Sequence, residues 1–172
     1  MTSRAVQFLL IIAAIGFWSA ALAPAWAEGG DPAALAAAMK DATATLQGGL
    51  KASEREGTPI SAKFEIEDGK LQLSVYTMKG DGFMEVVADP KTGAIAKAEK
   101  ITDAADLKAA TSQKAAMAKA KVPLLTATET AVKANAGSPA VSIYPELKGG
   151  QATAEVTLLQ GTTFKKVVEK LD

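Results

Sequence analysis

Residues 60–76 read ISAKFEIEDGKLQLSVY, and their pattern decides the fold of this chain. Apolar and polar residues alternate on both sides of Asp68-Gly69, which is typical of two half-buried strands joined by a two-residue hairpin turn. Further along the chain, Lys79 to Gly82 predicts the next turn, Phe83 to Ala88 a third strand, and residues 94–98 a short fourth strand. The sequence therefore predicts an antiparallel meander of four strands.

A helix is predicted before this meander. Asp31-Pro32 is typical of a helix start, with Asp as the N-cap and Pro at the first helical position. Apolar residues then recur at helical spacing until Gly57-Thr58-Pro59 ends the pattern. They are Leu35, Met39, Ala42, Leu46 and Leu50. We expect one helix that covers the apolar face of the meander.

The rest of the chain repeats this organisation. Residues 102–121 are rich in Ala and Lys and predict a weakly amphipathic connecting helix, and Pro123 opens another helix. Gly57-Thr58-Pro59 matches Gly137-Ser138-Pro139 at an offset of 80. At an offset of 81, Phe83, Val86 and Val87 match Phe164, Val167 and Val168. The second copy lacks a counterpart of the fourth strand of the first copy. We therefore predict an α+β protein with two repeats of a helix packed on an antiparallel meander of three or four strands, joined by the connecting helix.

The strand–turn–strand segment from Val86 to Ile95, VVADPKTGAI, supports a family resemblance. An apolar strand, Asp89, two residues, Thr92-Gly93 and an apolar residue form a signature similar to that of PepSY domains, and the chain resembles a tandem pair of them. The second copy departs from this pattern because it lacks the Asp and Thr-Gly turn. The resemblance implies a helix on an antiparallel sheet in each unit, no catalytic residue set, and a link to the propeptides of secreted metallopeptidases, where a related domain is associated with inhibition.

The N-terminus is typical of an export signal. Arg4 precedes the apolar run Phe8 to Trp18, and Ala25-Trp26-Ala27 suits cleavage after Ala27. An uncleaved membrane anchor is the alternative, because no charge lies between Ala5 and Ala27. Pro24 and the absence of a basic stop-transfer cluster favour cleavage. We predict a periplasmic protein with no stable membrane anchor once the signal is removed.

These features divide the chain into four parts. The divisions are a signal peptide at residues 1–27, a first PepSY-like unit at 28–101, the connecting helix at 102–121 and a second, truncated PepSY-like unit at 122–172.

Composition excludes much chemistry. The chain has no Cys and no His, so disulfides, thiolate nucleophiles, imidazole bases and Cys/His zinc sites are impossible. Its formal net charge is +0, and a chain without excess positive charge gives no footprint for nucleic acid. We expect no enzyme activity, no organic cofactor and no nucleic-acid partner.

Only oxygen-rich side chains remain as metal ligands. Six carboxylates border the predicted strands and turns and could hold a hard cation such as calcium if the fold brings them together. They are Glu65, Glu67, Asp68, Asp81, Glu85 and Asp89. The alternative is a solvated polar face balanced by Lys63, Lys70 and Lys79. The family turn residues Asp89, Pro90, Thr92 and Gly93 likewise have a purely structural alternative, which is turn formation.

An exposed strand edge is the other candidate surface. A meander edge can add a peptide strand through backbone hydrogen bonds. The second copy, without its fourth strand, leaves such an edge open unless the first copy covers it. The predicted function is a non-enzymatic binding or regulatory module for a protein or peptide, with a secreted peptidase or another envelope protein as partner. An extracytoplasmic metal-ion binding protein is the alternative.

Overall fold

The computed structural model describes residues 31–172, which form one seven-stranded antiparallel sheet and four α-helices. The expected α+β class is therefore correct. In chain order the elements are α1 (Pro32–Ala38), α2 (Leu46–Ser53), β1 (Thr58–Glu67), β2 (Lys70–Lys79), β3 (Gly82–Ala88), β4 (Ile95–Lys100), α3 (Ala104–Met117), α4 (Leu124–Ala134), β5 (Ala140–Lys148), β6 (Gln151–Gln160) and β7 (Thr163–Lys170). The predicted export signal and its predicted cleavage site lie outside the described residues.

The first helical segment differs from its prediction. Asp31 caps α1 as expected, but a short 3₁₀ turn follows and the helix restarts at Leu46, with Thr45 as N-cap. The interruption has a tertiary cause, because the amides of Thr43 and Ala44 both donate to the carbonyl of Pro90, at 3.1 and 3.0 Å. A backbone that bonds the sheet at this point cannot also continue the helical ladder, so one helix becomes two.

The sheet order is β4-β3-β2-β1-β5-β6-β7. Two meanders therefore meet through their first strands, β1 and β5, which pair antiparallel at Ala62↔Ile143 and Lys63↔Ser142. Ala62 and Ile143 lie 81 positions apart in the sequence, which is the offset that relates Phe83 to Phe164. Irregular pairing also occurs at equivalent places, between Pro59 and Ser61 in one meander and between Ala140 and Ser142 in the other.

The main core lies between one face of the sheet and the helices α1, α2 and α4. It contains the buried side chains of Leu46, Leu50, Leu73, Leu124 and Ile143, each at most 2% exposed. Alternation along the strands brings Ala152, Ala154 and Val156 to this face, as their match to Leu71, Leu73 and Val75 predicts. The small alanines allow α4 to approach the second meander closely.

Helix α3 covers the opposite face and is more than a connector. It contacts β1, β5 and β6, and the Ser61 hydroxyl donates to the Gln113 carboxamide oxygen at 2.8 Å. A smaller core cluster of Ile60, Phe83, Ile101 and Ala110 forms beneath it. The weak amphipathicity of this segment hid its packing role, because its buried residues are mostly alanines. Within residues 31–172, no helix is long and apolar enough to cross a membrane.

Candidate functional site

Strand β7 forms one end of the sheet. It pairs with β6, and the strand order places no second neighbour beside it within residues 31–172. The Leu171 amide donates to the Ala152 carbonyl at 2.9 Å, so odd-numbered residues direct their backbone groups toward β6. By the same alternation, the backbone N–H and C=O groups of Lys166 and Val168 point away from the sheet. The edge that the sequence analysis left undecided is thus not covered by the first meander, which joins β5 instead.

The equivalent edge of the first meander is occupied. Strand β4 pairs with β3 from Met84↔Lys100 to Ala88↔Ile95. At the ends of this pairing, the Ile101 amide donates to the Phe83 carbonyl at 3.0 Å and the Asp89 amide to the Ala94 carbonyl at 2.9 Å. Strands β3 and β7 contain the residues that match at the offset of 81; β4 lies beside β3, and within residues 31–172 no strand lies on the outer side of β7.

Three of the eight residues of β7 are lysines, and one is acidic. Lys166 forms an ion pair with Glu155, with 2.5 Å between Nζ and Oε1, and Lys165 donates to the Asn135 carboxamide oxygen at 2.8 Å. Lys170 and Glu169 complete the charged set. Val168 is 53% exposed, whereas its equivalent Val87 is half-buried beside β4. Within residues 31–172, the β7 edge therefore combines backbone groups that face no other strand, an exposed apolar side chain and excess positive charge.

A second polar surface lies on the α3 face of the first meander. The Gln72 amide nitrogen lies 2.6 Å from Glu67 Oε2, 3.0 Å from Ser74 Oγ and 3.3 Å from Glu65 Oε1. Lys63 reaches the other oxygen of Glu65 at 2.5 Å. Gln72 was not singled out from the sequence, although its alternation with Leu71 and Leu73 places it on the face of Glu65.

Titration on this surface is altered by burial. Desolvation raises the pKa of Glu85, the negative charges of Glu65 and Glu67 raise it further, and the Ser74 hydroxyl lowers it. Burial also raises the pKa of Tyr76, and the carboxylates of Glu85 and Glu65 add to the effect. The Tyr76 hydroxyl donates to Glu85 at 3.4 Å. The face therefore disfavours a further negative charge.

The six predicted metal ligands do not converge. Glu65, Glu67 and Glu85 share the α3 face, but Asp68 lies at the β1–β2 turn and Asp81 at the β2–β3 turn, at opposite ends of the strands. Within residues 31–172, no group of three or more acidic side chains is placed to hold a metal ion. Metal binding by these residues remains a prediction.

The family turn has a structural role. The Asp89 carboxylate accepts from the amides of Lys91 and Thr92, at 3.0 and 2.7 Å, and from the Thr92 hydroxyl at 2.9 Å. The Thr92 amide is the largest of the contacts that hold the pKa of Asp89 below its usual value. Gly93 adopts φ 73° and its amide donates to the Asp89 carbonyl. The turn presents Pro90 to the α1–α2 linker, so these residues join helix to sheet.

A shallow cavity of about 200 Å³ lies where α2, α4 and the start of β1 meet. Its lining is mostly apolar and includes Leu50, Met117 and Leu124, with Glu54 as the acidic member. The charge and hydrogen-bonding groups of a specific small-molecule site are sparse here.

One comparison with known proteins covers the first meander and the helices before it. Residues 33–99 match the family model described as "Peptidase propeptide and YPEB domain", or PepSY. No curated protein matches the chain. Among solved structures, the chain is similar to a predicted lipoprotein from Clostridium difficile 630, with 14% identity and a TM-score of 0.38 over 71% of this chain and 80% of that one.

Proposed function

We propose, from the match of residues 33–99 to the PepSY family model, that this protein is a non-enzymatic, extracytoplasmic binding protein that regulates a secreted peptidase or another envelope protein. The family match carries this proposal. The family description names peptidase propeptides, and a propeptide acts by occupying its enzyme rather than by catalysis. The chain's lack of Cys and His agrees with a binding role, since neither a thiolate nor an imidazole is available.

We further propose that α4 and β5–β7 are a second, shortened unit of the same kind. Three features support this. The helix-then-meander order occurs twice, and strands β1 and β5 pair antiparallel at Ala62 and Ile143, which are separated by the sequence offset of 81. The irregular pairing at Pro59/Ser61 recurs 81 positions later at Ala140/Ser142. In this arrangement the first unit contains the complete turn from Asp89 to Gly93, and the second unit contributes the β7 edge.

The last part of the proposal is that the protein is exported to the periplasm. The apolar run Phe8 to Trp18 and the Ala25-Trp26-Ala27 pattern favour a cleavable signal and a periplasmic location. N-terminal sequencing of the protein from a periplasmic fraction should begin at Glu28. Recovery of full-length chain from the membrane fraction would contradict cleavage.

Chemical crosslinking in the source bacterium tests the binding function. The protein is purified from crosslinked cells and its partners are identified by mass spectrometry, with an unrelated periplasmic protein of similar size as the control. A captured peptidase is then assayed on casein with and without added protein. We expect a specific partner and, for a peptidase, a lower rate of hydrolysis. The absence of any partner above the control would overturn the proposal.

A further inference from the structure

We infer that the β7 edge is the docking site, and that its occupant is an extended, acidic segment of a partner protein that pairs antiparallel with β7. This inference rests on the proposed binding function and specifies its surface. Outward-pointing backbone groups, such as those of Lys166 and Val168, offer the hydrogen bonds that strand addition uses. Side chains then decide which strand is accepted.

The first meander supplies the template for the geometry. Strand β4 bonds β3 through the pairs Val86↔Ala98 and Val87↔Lys97. Moving this register by 81 positions places a small side chain opposite Val167 and covers part of Val168, which is now 53% exposed. We therefore expect the β7 edge to accept a strand in the register that β4 uses on β3.

Charge selects the occupant. In the transferred register, the positions of Lys100 and Glu99 fall opposite Lys165 and Lys166. Lys165 and Lys170 form no ion pair within the described part of the chain, so their charges are uncompensated by contact. Opposite charges across a strand pair stabilise it, and like charges oppose it. An acidic strand is favoured, and a basic strand such as β7 itself is disfavoured, because lysines on an edge oppose self-pairing.

Synthetic peptides test the edge. The probe is residues 94–101 with Lys97 and Lys100 replaced by Glu, fluorescently labelled, and the basic control has Glu99 replaced by Lys instead. Binding to the full mature protein is measured by anisotropy at low and high salt. We expect the acidic probe to bind at least about tenfold more tightly than the basic one, a difference of about 1.4 kcal/mol, with the preference reduced by salt. Equal binding of both probes would overturn the inference.

Two proline variants localise the site. Val168→Pro removes an outward N–H from β7, and Ala98→Pro removes an outward N–H from β4, the other edge of the sheet. Pro is tolerated at such edge positions because the lost donor is not part of the ladder. We expect V168P to lose about tenfold or more in affinity and A98P to bind normally. Loss in A98P alone would place the site at β4 and contradict the inference.

A charge variant covers the case in which V168P does not fold. Lys165→Glu leaves the backbone intact and places a negative charge opposite probe position 100, so it should weaken the acidic probe several-fold while improving the basic one. Unchanged affinities in K165E would contradict charge selection.

Two further results separate this inference from other possibilities. Sedimentation equilibrium should show a monomer at about 100 µM. A dimer that V168P abolishes would make a second copy the occupant and overturn the inference. If crosslinking captures a partner equally with wild type and V168P, the binding function stands and the edge assignment fails. If the acidic probe binds the edge but no partner is captured, the edge assignment stands and the proposed regulatory function fails.

Discussion

Replacing Gly57 with Ala should be one of the most damaging single-atom additions to this protein. Gly57 ends the helical segment before β1 with φ 152° and ψ 180°, a backbone region that is essentially restricted to Gly. An added Cβ would lie 2.6 Å from the Met78 carbonyl oxygen. That oxygen belongs to β2, whose pairing with both β1 and β3 prevents it from moving aside.

The magnitude follows from these two effects. Backbone strain of this kind costs about 1–3 kcal/mol, and forcing atoms into a filled space adds about 1–3 kcal/mol. We expect G57A to lower the free energy of unfolding by about 2–6 kcal/mol, which at about 3 °C per kcal/mol corresponds to a fall in Tm of about 6–18 °C for a domain of this size.

Urea denaturation followed by circular dichroism measures the effect, with Gly69→Ala as the matched control. Gly69 also has a positive φ, 74°, but an added Cβ there would meet no atom within 4 Å. The control should cost about 1 kcal/mol, the penalty for an L residue in the left-handed region. A G57A cost equal to that of G69A would show that the Met78 carbonyl does yield, and would refute the reasoning.

Three further predictions concern the polar face, the core and the metal hypothesis. Glu85→Gln should raise Tm at pH 7.5 and leave it unchanged at pH 4. The fold raises the pKa of Glu85, so the ionised carboxylate destabilises the protein above that pKa, and this cost disappears as the pH falls. An equal change in Tm at both pH values would contradict this prediction. Thr77→Val should stabilise the protein by up to about 1 kcal/mol in urea melts, since the buried Thr77 hydroxyl has no hydrogen-bond partner within residues 31–172, and a net loss would reveal a partner. Calcium at millimolar concentration should raise Tm by less than about 1 °C. Glu65 already contacts Lys63 and Gln72, and the Asp89 carboxylate accepts hydrogen bonds within its own turn. A selective rise in Tm with one cation would instead support the predicted metal site.

The strands were predictable because their signals are local. Asp68-Gly69 forms the expected tight turn, with positive φ at both residues, and the alternation around it places Phe64 and Leu73 in the core. The turn at Asp89 was likewise predictable from the residues that build it. Each of these features depends on neighbours within a few positions in the chain.

Other features depend on contacts between distant parts of the chain. The break at Thr43 follows from hydrogen bonds to Pro90, and no residue between Ala42 and Leu46 forces a helix to end. The packing of α3 relies on Ala110 and Ala116, which carry little hydrophobic signal. Whether another strand covers β7 depends on which strands pair at the centre of the sheet. The alternation of residues within one strand does not determine which strand lies beside it.

The pairing of Ala62 with Ile143 determines which surfaces proteolysis would expose. Cleavage in the segment that leads from β4 to α4 would separate two halves that share one hydrogen-bonded ladder. Each fragment would then expose an inner strand, β1 or β5, with the apolar side chains of Ala62 and Ile143 at the broken pairing. Fragments of this kind are prone to reassociate or to recruit other chains, so the uncut polypeptide is the form in which the two meanders protect one another.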